Sequence, residues 1–259
     1  LKFYRKDIRF PIPQATLYRQ MKNQIVCQVQ RIGKYLLLKV PKGAMLLHLG
    51  MSGRVSLSDT MSPKEKHTHA TFQFGQKVFL HFVDPRRFGC ILWVPHSGKH
   101  SLLDNLGPDP FSTEANPEVL KNRAKKCKSP IKTFIMDSRR ITGIGNIYAC
   151  ESLFHAGINP KRKAGLITFP EWELLLSCIR STLENSIAAG GTTLRDFFEP
   201  SGKTGYYAVK LSVYGKEGKP CSKCATPISR LIHSGRSTFF CKTCQPSTKK
   251  RSNRLLTLA

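Results

Sequence analysis

The first hundred positions carry their apolar residues in short runs rather than at helical spacing. Residues 25–30, 35–40, 44–49, 70–74, 78–82 and 90–94 are each rich in β-branched, leucine and aromatic side chains. Turn formers interrupt them at Pro41-Lys42-Gly43, Gly50-Met51-Ser52-Gly53 and Phe74-Gly75-Gln76. Many short strands with such turns predict a β-sandwich or barrel. Leu106-Gly107-Pro108-Asp109-Pro110 reads as a linker, because two prolines and a glycine continue neither regular structure.

Beyond the linker the period changes. Thr168-Phe169-Pro170-Glu171 is a capping box with a proline in the first turn. Behind it Trp172, Leu175, Leu176, Ile179, Leu183 and Ile187 recur at helical spacing, and Gly190-Gly191 closes the helix. This stripe reads as core. A second helix is predicted over 146–156, ending at Gly157 with Pro160 beyond. From 202 to 219 the chain is glycine-rich and aromatic, and the tail from Pro246, with Lys249-Lys250-Arg251, is expected to be disordered.

The charge narrows the class. Lys plus Arg number 42 and Asp plus Glu 16 in 259 residues, a formal charge of +26. A folded chain with this surplus points to a polyanionic partner, nucleic acid first. A membrane surface is the weaker candidate, because no long basic amphipathic helix stands out. No run reaches transmembrane length and the start has no apolar leader, so a cytoplasmic protein is expected.

Cys221-Ser222-Lys223-Cys224 and Cys241-Lys242-Thr243-Cys244 are two hooks separated by 16 residues. Four thiolates at this spacing supply a closed tetrahedral Zn2+ site. Residues 227–232 and 236–240 flank a turn at His233-Ser234-Gly235, which predicts a hairpin with Arg236 near its tip. The nine cysteines leave Cys27, Cys90, Cys127, Cys150 and Cys178, scattered singly as reduced thiols would be.

Three other stretches have two readings each. Gly143-Ile144-Gly145-Asn146 opens a helix, either as a phosphate-binding loop or as a tight turn with Asn146 as N-cap. Asp84-Pro85-Arg86-Arg87-Phe88-Gly89 sets two guanidiniums beside an aromatic, as a DNA-contacting loop with a wedge or as a β-turn over a core Phe. Met51 at a glycine-flanked tip is either a wedge or core. Lys34 reads as a surface lysine, and His67 and His69 as ligands, phosphate contacts or solvated loop residues.

Five stretches carry a resemblance to a known family: 31–38 (RIGKYLLL), 48–53 (HLGMSG), 84–89 (DPRRFG), 143–149 (GIGNIYA) with 151–154 (ESLF), and 235–241 (GRSTFFC). In this order they resemble the bacterial formamidopyrimidine-DNA glycosylases over 25–245. The resemblance implies a multidomain α+β protein: a β-sandwich over 1–108, a helix–two-turn–helix domain over 109–205, a zinc-ribbon finger over 206–246 and a basic tail over 247–259. The resemblance also implies that DNA is held in the cleft between the domains. It implies a monomeric enzyme that acts on double-stranded DNA, excises oxidised purines (8-oxoguanine and formamidopyrimidines) and cleaves the strand at the abasic site by β,δ-elimination. Met51, Arg86 and Phe88 would fill the gap left by a flipped nucleotide. Asn146 and Arg236 would grip phosphates, with Lys132 and His67 assisting. Lys34, near the reacting sugar, and Arg236 would handle protons. The 202–207 stretch resembles the loop that covers a flipped purine, which favours this branch over the endonuclease VIII type. Cys127 interrupts a basic stretch where the family carries a DNA contact, which Lys126 or Lys128 can replace.

The family's nucleophile is the secondary amine of a proline in a Pro-Glu-Leu-Pro-Glu start, followed by the first helix. No residue from Leu1 onward matches it. Three readings stand: an active glycosylase whose start lies ahead of Leu1, a relative that binds damaged DNA without cutting, or Lys34 as a replacement amine.

Overall fold

The computed structural model describes residues 1–62, 65–191 and 211–247. The glycine-rich 202–207 stretch and the basic tail from 248 lie outside the described residues. Residues 1–109, with the stretch from Glu184, group in one compact unit; residues 110–183, with the stretch from Leu211, group in the other.

The first unit is an antiparallel sandwich. One sheet has strand order β1-β6-β7-β5, and the other β2-β3-β4-β8. These are β1 (Lys2–Phe3), β2 (Gln28–Ile32), β3 (Tyr35–Val40), β4 (Gly43–His48), β5 (Arg54–Ser58), β6 (Thr68–Phe74), β7 (Val78–Val83) and β8 (Cys90–Pro95). Leu38, Val40, Met45, Leu47 and Ile91 of one sheet meet Ala70, Phe72 and Phe82 of the other in one core. Helix α1 (Gln14–Met21) adds Leu17 and Met21 to that core. On the far face of the second sheet, Leu37, Ala44, Leu46 and Val94 pack against Phe10, Leu102 and Leu103. With both faces covered, β4 is a nearly continuous apolar run rather than an alternating one. Strands β1 and β5 and helix α1 were not legible as runs or stripes in the sequence.

Among the described residues, the second unit packs three α-helices, most of a fourth and a hairpin. Helix α2 (Pro117–Ala124) starts at Asn116, whose side chain accepts from Val119 N at 3.0 Å, with proline in the first turn. Helices α3 (Ile131–Met136), α4 (Asn146–His155) and α5 (Phe169–Ala188) follow. The capping box forms as the sequence predicts: Glu171 Oε2 accepts from Thr168 N at 2.9 Å. Trp172, Leu175, Leu176 and Ile179 enter a core with Leu120, Ile131, Phe134, Ile135, Ile144 and Leu153. Ile187 does not follow the stripe and is exposed, one turn before Gly190. Arg180 Nε and Nη2 donate to the carbonyls of Pro110 at 2.7 Å and Ala115 at 2.8 Å, which fastens the linker's end to α5.

Strands β9 (Ser229–His233) and β10 (Arg236–Phe240) form the hairpin. Arg236 pairs with His233, leaving Ser234 and Gly235 as a two-residue turn, both at positive φ (48° and 70°). That is the primed geometry matching the twist of a hairpin. Val213, Cys221, Ile228, Phe239 and Cys241 share a buried cluster with Cys150 and Phe154 of α4. The hairpin and its knuckles thus pack on α4 through this cluster, beside the helical core rather than within it.

Candidate nucleic-acid interface and metal centre

The four cysteine Sγ atoms all lie within 4.8 Å of one another. Sγ of Cys221 and Cys244 are 3.8 Å apart, Cys224 and Cys241 3.5 Å, and Cys224 and Cys244 3.4 Å. Tetrahedral zinc with Zn–S near 2.3 Å requires S···S of about 3.8 Å, whereas a disulfide requires about 2.0 Å. The set fits zinc. Two backbone donors point at the sulfurs: Lys223 N to Cys221 Sγ and Cys244 N to Cys241 Sγ, both at 3.4 Å. Behind the knuckles Gln245, fully buried, accepts from Cys241 N at 3.0 Å and donates to Ile158 O at 2.8 Å. Asn159 Nδ2 donates to Gln245 O at 2.7 Å, tying the finger to the loop after α4.

In the first unit, Asp84 clamps two loops together. It is fully buried, and its carboxylate accepts from Ser52 Oγ at 3.1 Å and Gly89 N at 2.7 Å. Ser52 Oγ also accepts from Arg86 N at 3.3 Å. Gly50 has φ +65°, and a Cβ there would lie 2.5 Å from the Phe88 carbonyl carbon, so the loops meet backbone to backbone. The consequence is an apolar pair displayed to solvent: Met51 is 54% exposed and Phe88 45%. The core readings of both residues are thus corrected. The Arg86 guanidinium lies 5.1 Å from the centroid of the Phe88 ring. His67, exposed at φ 71°, offers its carbonyl to Asp84 N at 3.1 Å, so it flanks the same clamp. His69 is buried and bonded to the Asp84 carbonyl at 2.8 Å, which makes it part of the support. Lys34 is exposed in the two-residue turn between β2 and β3, where Gly33 takes φ 58°.

His48, at the base of the Met51 loop, accepts from Gly50 N on Nδ1 at 3.0 Å. Burial, then the charges of Arg9 and Lys34, lowers its pKa to about 4. A neutral imidazole is what that hydrogen bond needs. Its folded pKa lies below the unfolded value, so the unfolded chain binds more protons between the two. Stability therefore falls as pH drops from about 6.5 to about 4. The full shift corresponds to about 3 kcal/mol, and partial exposure reduces the expected loss to about 1–2 kcal/mol. His69 and His81 are lowered by burial in the same direction. Denaturation midpoints at pH 7 and 4.5 should differ accordingly. His48→Asn, which keeps an acceptor at the Nδ1 position, should flatten the difference; an unchanged pH profile contradicts this role.

In the second unit, Gly143 at φ +86° turns the chain into α4, whose N-cap is Gly145. No side chain caps this helix, so Asn146 is not its N-cap. The Asn146 amide instead donates to Ser237 O at 3.0 Å and Tyr214 OH at 3.2 Å, while its Oδ1 is buried without a partner. Asn146, Lys132 and the residue next to Arg236 thus converge, with Arg236 itself exposed. Lys128 is exposed beside half-buried Cys127.

Glu151 carries no candidate role in the sequence. It is 1% exposed and accepts three backbone N–H groups: Ser212 at 2.7 Å, Val213 at 2.9 Å and Tyr214 at 2.8 Å. It thereby fixes Tyr214, whose hydroxyl meets Asn146. A buried carboxylate in an apolar helix was the available signal; its partners lie about 60 residues away and could not be read from local pattern.

Family models match nearly the whole chain. The formamidopyrimidine-DNA glycosylase N-terminal domain matches residues 1–91, the formamidopyrimidine-DNA glycosylase H2TH domain residues 106–198, and the zinc finger found in FPG and IleRS residues 218–246. The chain belongs to the formamidopyrimidine-DNA glycosylase family. It is 43% identical over 241 residues to the formamidopyrimidine-DNA glycosylase of Acidithiobacillus ferrooxidans, covering 93% of this chain and 89% of that one. It is 44% identical over 238 residues to that of Escherichia coli K12, covering 92% and 88%. Among solved structures it matches Lactococcus lactis Fpg in complex with DNA containing an abasic site, at TM-score 0.83 and 29% identity over 90% of this chain and 86% of that one. It also matches MutM in complex with DNA containing carbocyclic 8-oxo-G, at TM-score 0.82 and 30% identity with the same coverage. As a member of this family the chain carries one structural zinc, held by Cys221, Cys224, Cys241 and Cys244. No helix of the described residues is long and apolar enough to cross a membrane.

Proposed function

We propose that this glycosylase excises oxidised purines from duplex DNA and cuts the strand at the resulting abasic site, as a monomer in the cytoplasm of a bacterial cell. The observation that carries this reading is the clamp around Asp84, which holds exposed Met51 and Phe88 beside Arg86 on a chain of charge +26. An apolar pair shown to water is costly to keep unless it enters something apolar, and the base stack of an opened duplex is such a place.

The residues then divide the work. A damaged nucleotide must leave the stack before its C1′ can be attacked. Met51 and Phe88 fill the gap, and Arg86 contacts the orphaned base. Arg236, His67, Lys128 and the backbone N–H groups of the uncapped α4 N-terminus at Asn146 hold phosphates. The zinc supplies no chemistry of its own; its ligands fix the hairpin that carries Arg236. The nucleophile implied by the family is the secondary amine of an N-terminal proline, which forms a Schiff base at C1′ and lets Lys34 and Arg236 serve the eliminations as proton-handling groups.

Binding to a duplex with an abasic site tests the reading. The zinc-loaded chain should prefer it to an undamaged duplex of the same sequence. Arg236→Ala should weaken binding and reduce the slope of log K against log salt by roughly 0.9, one phosphate contact. Equal affinity for both duplexes, or an unchanged slope, contradicts it.

A further inference from the structure

The carbonyl of Ser237 is a meeting point of three elements. Lys132 Nζ of α3 donates to it at 3.2 Å and Asn146 Nδ2 of α4 at 3.0 Å. Lys132 Nζ donates a second bond to Thr238 Oγ1 at 2.7 Å. Lys132 is 2% exposed and Thr238 fully buried. The ion pairs of the described residues do not include Lys132. Two of its three ammonium donors are thus turned onto β10, on either side of the peptide that follows Ser237, in a place water does not reach.

A buried ammonium with neutral acceptors is a costly device. Burial lowers the pKa of Lys132; Cys150 opposes this in part, and the charge of Arg236 adds a lesser lowering effect. A surface contact to DNA would need none of this. What the arrangement achieves is to pin residues 237 and 238 to α3, directly after the exposed Arg236. The same carbonyl is shared with Asn146, so α4 is locked to the hairpin at the same point.

We infer that Lys132 is a positioning residue: it acts on DNA by fixing the hairpin that presents Arg236, and makes no phosphate contact of its own. This departs from the resemblance, which places Lys132 among the groups assisting the phosphate grip. It rests on the proposed DNA contact of Arg236.

The two roles separate in salt dependence. Binding to a duplex with an abasic site is measured across a salt series for the wild type, Lys132→Met, Thr238→Val and the double variant, with zinc content as the check on folding. Thr238→Val removes the buried hydroxyl that Lys132 holds, and removes no cation. A positioning role gives about 5- to 30-fold weaker binding for each single variant, with the salt slope kept within about 0.3 of wild type. The double variant then falls well short of the product of the single losses, because both changes break one link. The inference is overturned if Lys132→Met lowers the slope by about 0.9 while Thr238→Val binds like wild type. Should Lys132→Met lose its zinc, Thr238→Val decides alone: weaker binding at full slope supports positioning, and wild-type binding overturns it. A wild-type chain that shows no preference for the damaged duplex defeats the proposed function itself, and the inference with it.

Discussion

Replacing Glu151 with Gln should lower the stability of the helical unit by about 2–4 kcal/mol. The carboxylate offers two acceptor oxygens to three backbone donors at 2.7–2.9 Å. Gln keeps the shape and replaces one oxygen with an NH2 group, which faces a peptide N–H with no acceptor between them. Glu151→Ala should be worse, since it leaves three donors of a buried segment unpaired at about 1–3 kcal/mol each. Against a typical total of about 5–15 kcal/mol, that is enough to unfold the unit. The damage should reach the site, because Tyr214, held by Glu151, meets the Asn146 amide through its hydroxyl. Chemical denaturation and binding to a damaged duplex check both points. A Gln variant with wild-type stability contradicts the assigned role.

Replacing Cys241 with Ala should release the zinc and unfold the finger. Structural zinc sites contribute about 10–16 kcal/mol at neutral pH, far more than the hairpin can recover by itself. The loss should not stay local. Cys241 and Cys221 lie in one buried cluster with Cys150 and Phe154 of α4, and Gln245 links the last knuckle to the carbonyl of Ile158. The expected result is no stoichiometric zinc, loss of helical cooperativity in the second unit and at least about 10-fold weaker DNA binding. Retention of one zinc per chain refutes the ligand assignment. Chelation of the wild type should reproduce the variant, and return of zinc should reverse it.

What could be read from the sequence had short range. Two Cys-x-x-Cys hooks need only their own spacing, and the Thr168–Glu171 box only four positions. Strands β3, β4, β7 and β8 announced themselves as apolar runs because the sandwich buries them. Strand β1 has two residues and β5 shows mostly intermediate burial, so neither leaves a pattern. Helices α2 and α3 have eight and six residues, too short for a stripe to repeat. Helix α1 follows two prolines and buries only Leu17 and Met21. The site divides in the same way. Arg236 at a hairpin tip is local. The exposure of Met51 and Phe88 is not, because an apolar residue in a loop looks like core until the Asp84 clamp is visible. Glu151 and Lys132 find their partners 61 to 106 residues away, and local pattern does not reveal those partners.

The most direct measurement is base release from a duplex carrying one 8-oxoguanine, with borohydride trapping, using zinc-loaded protein that bears the family's Pro-Glu start ahead of Leu1. The account expects free 8-oxoguanine, a nicked strand and a covalent adduct that maps to the N-terminal proline. A protein that holds its zinc and binds the damaged duplex, yet releases no base and forms no adduct, contradicts it.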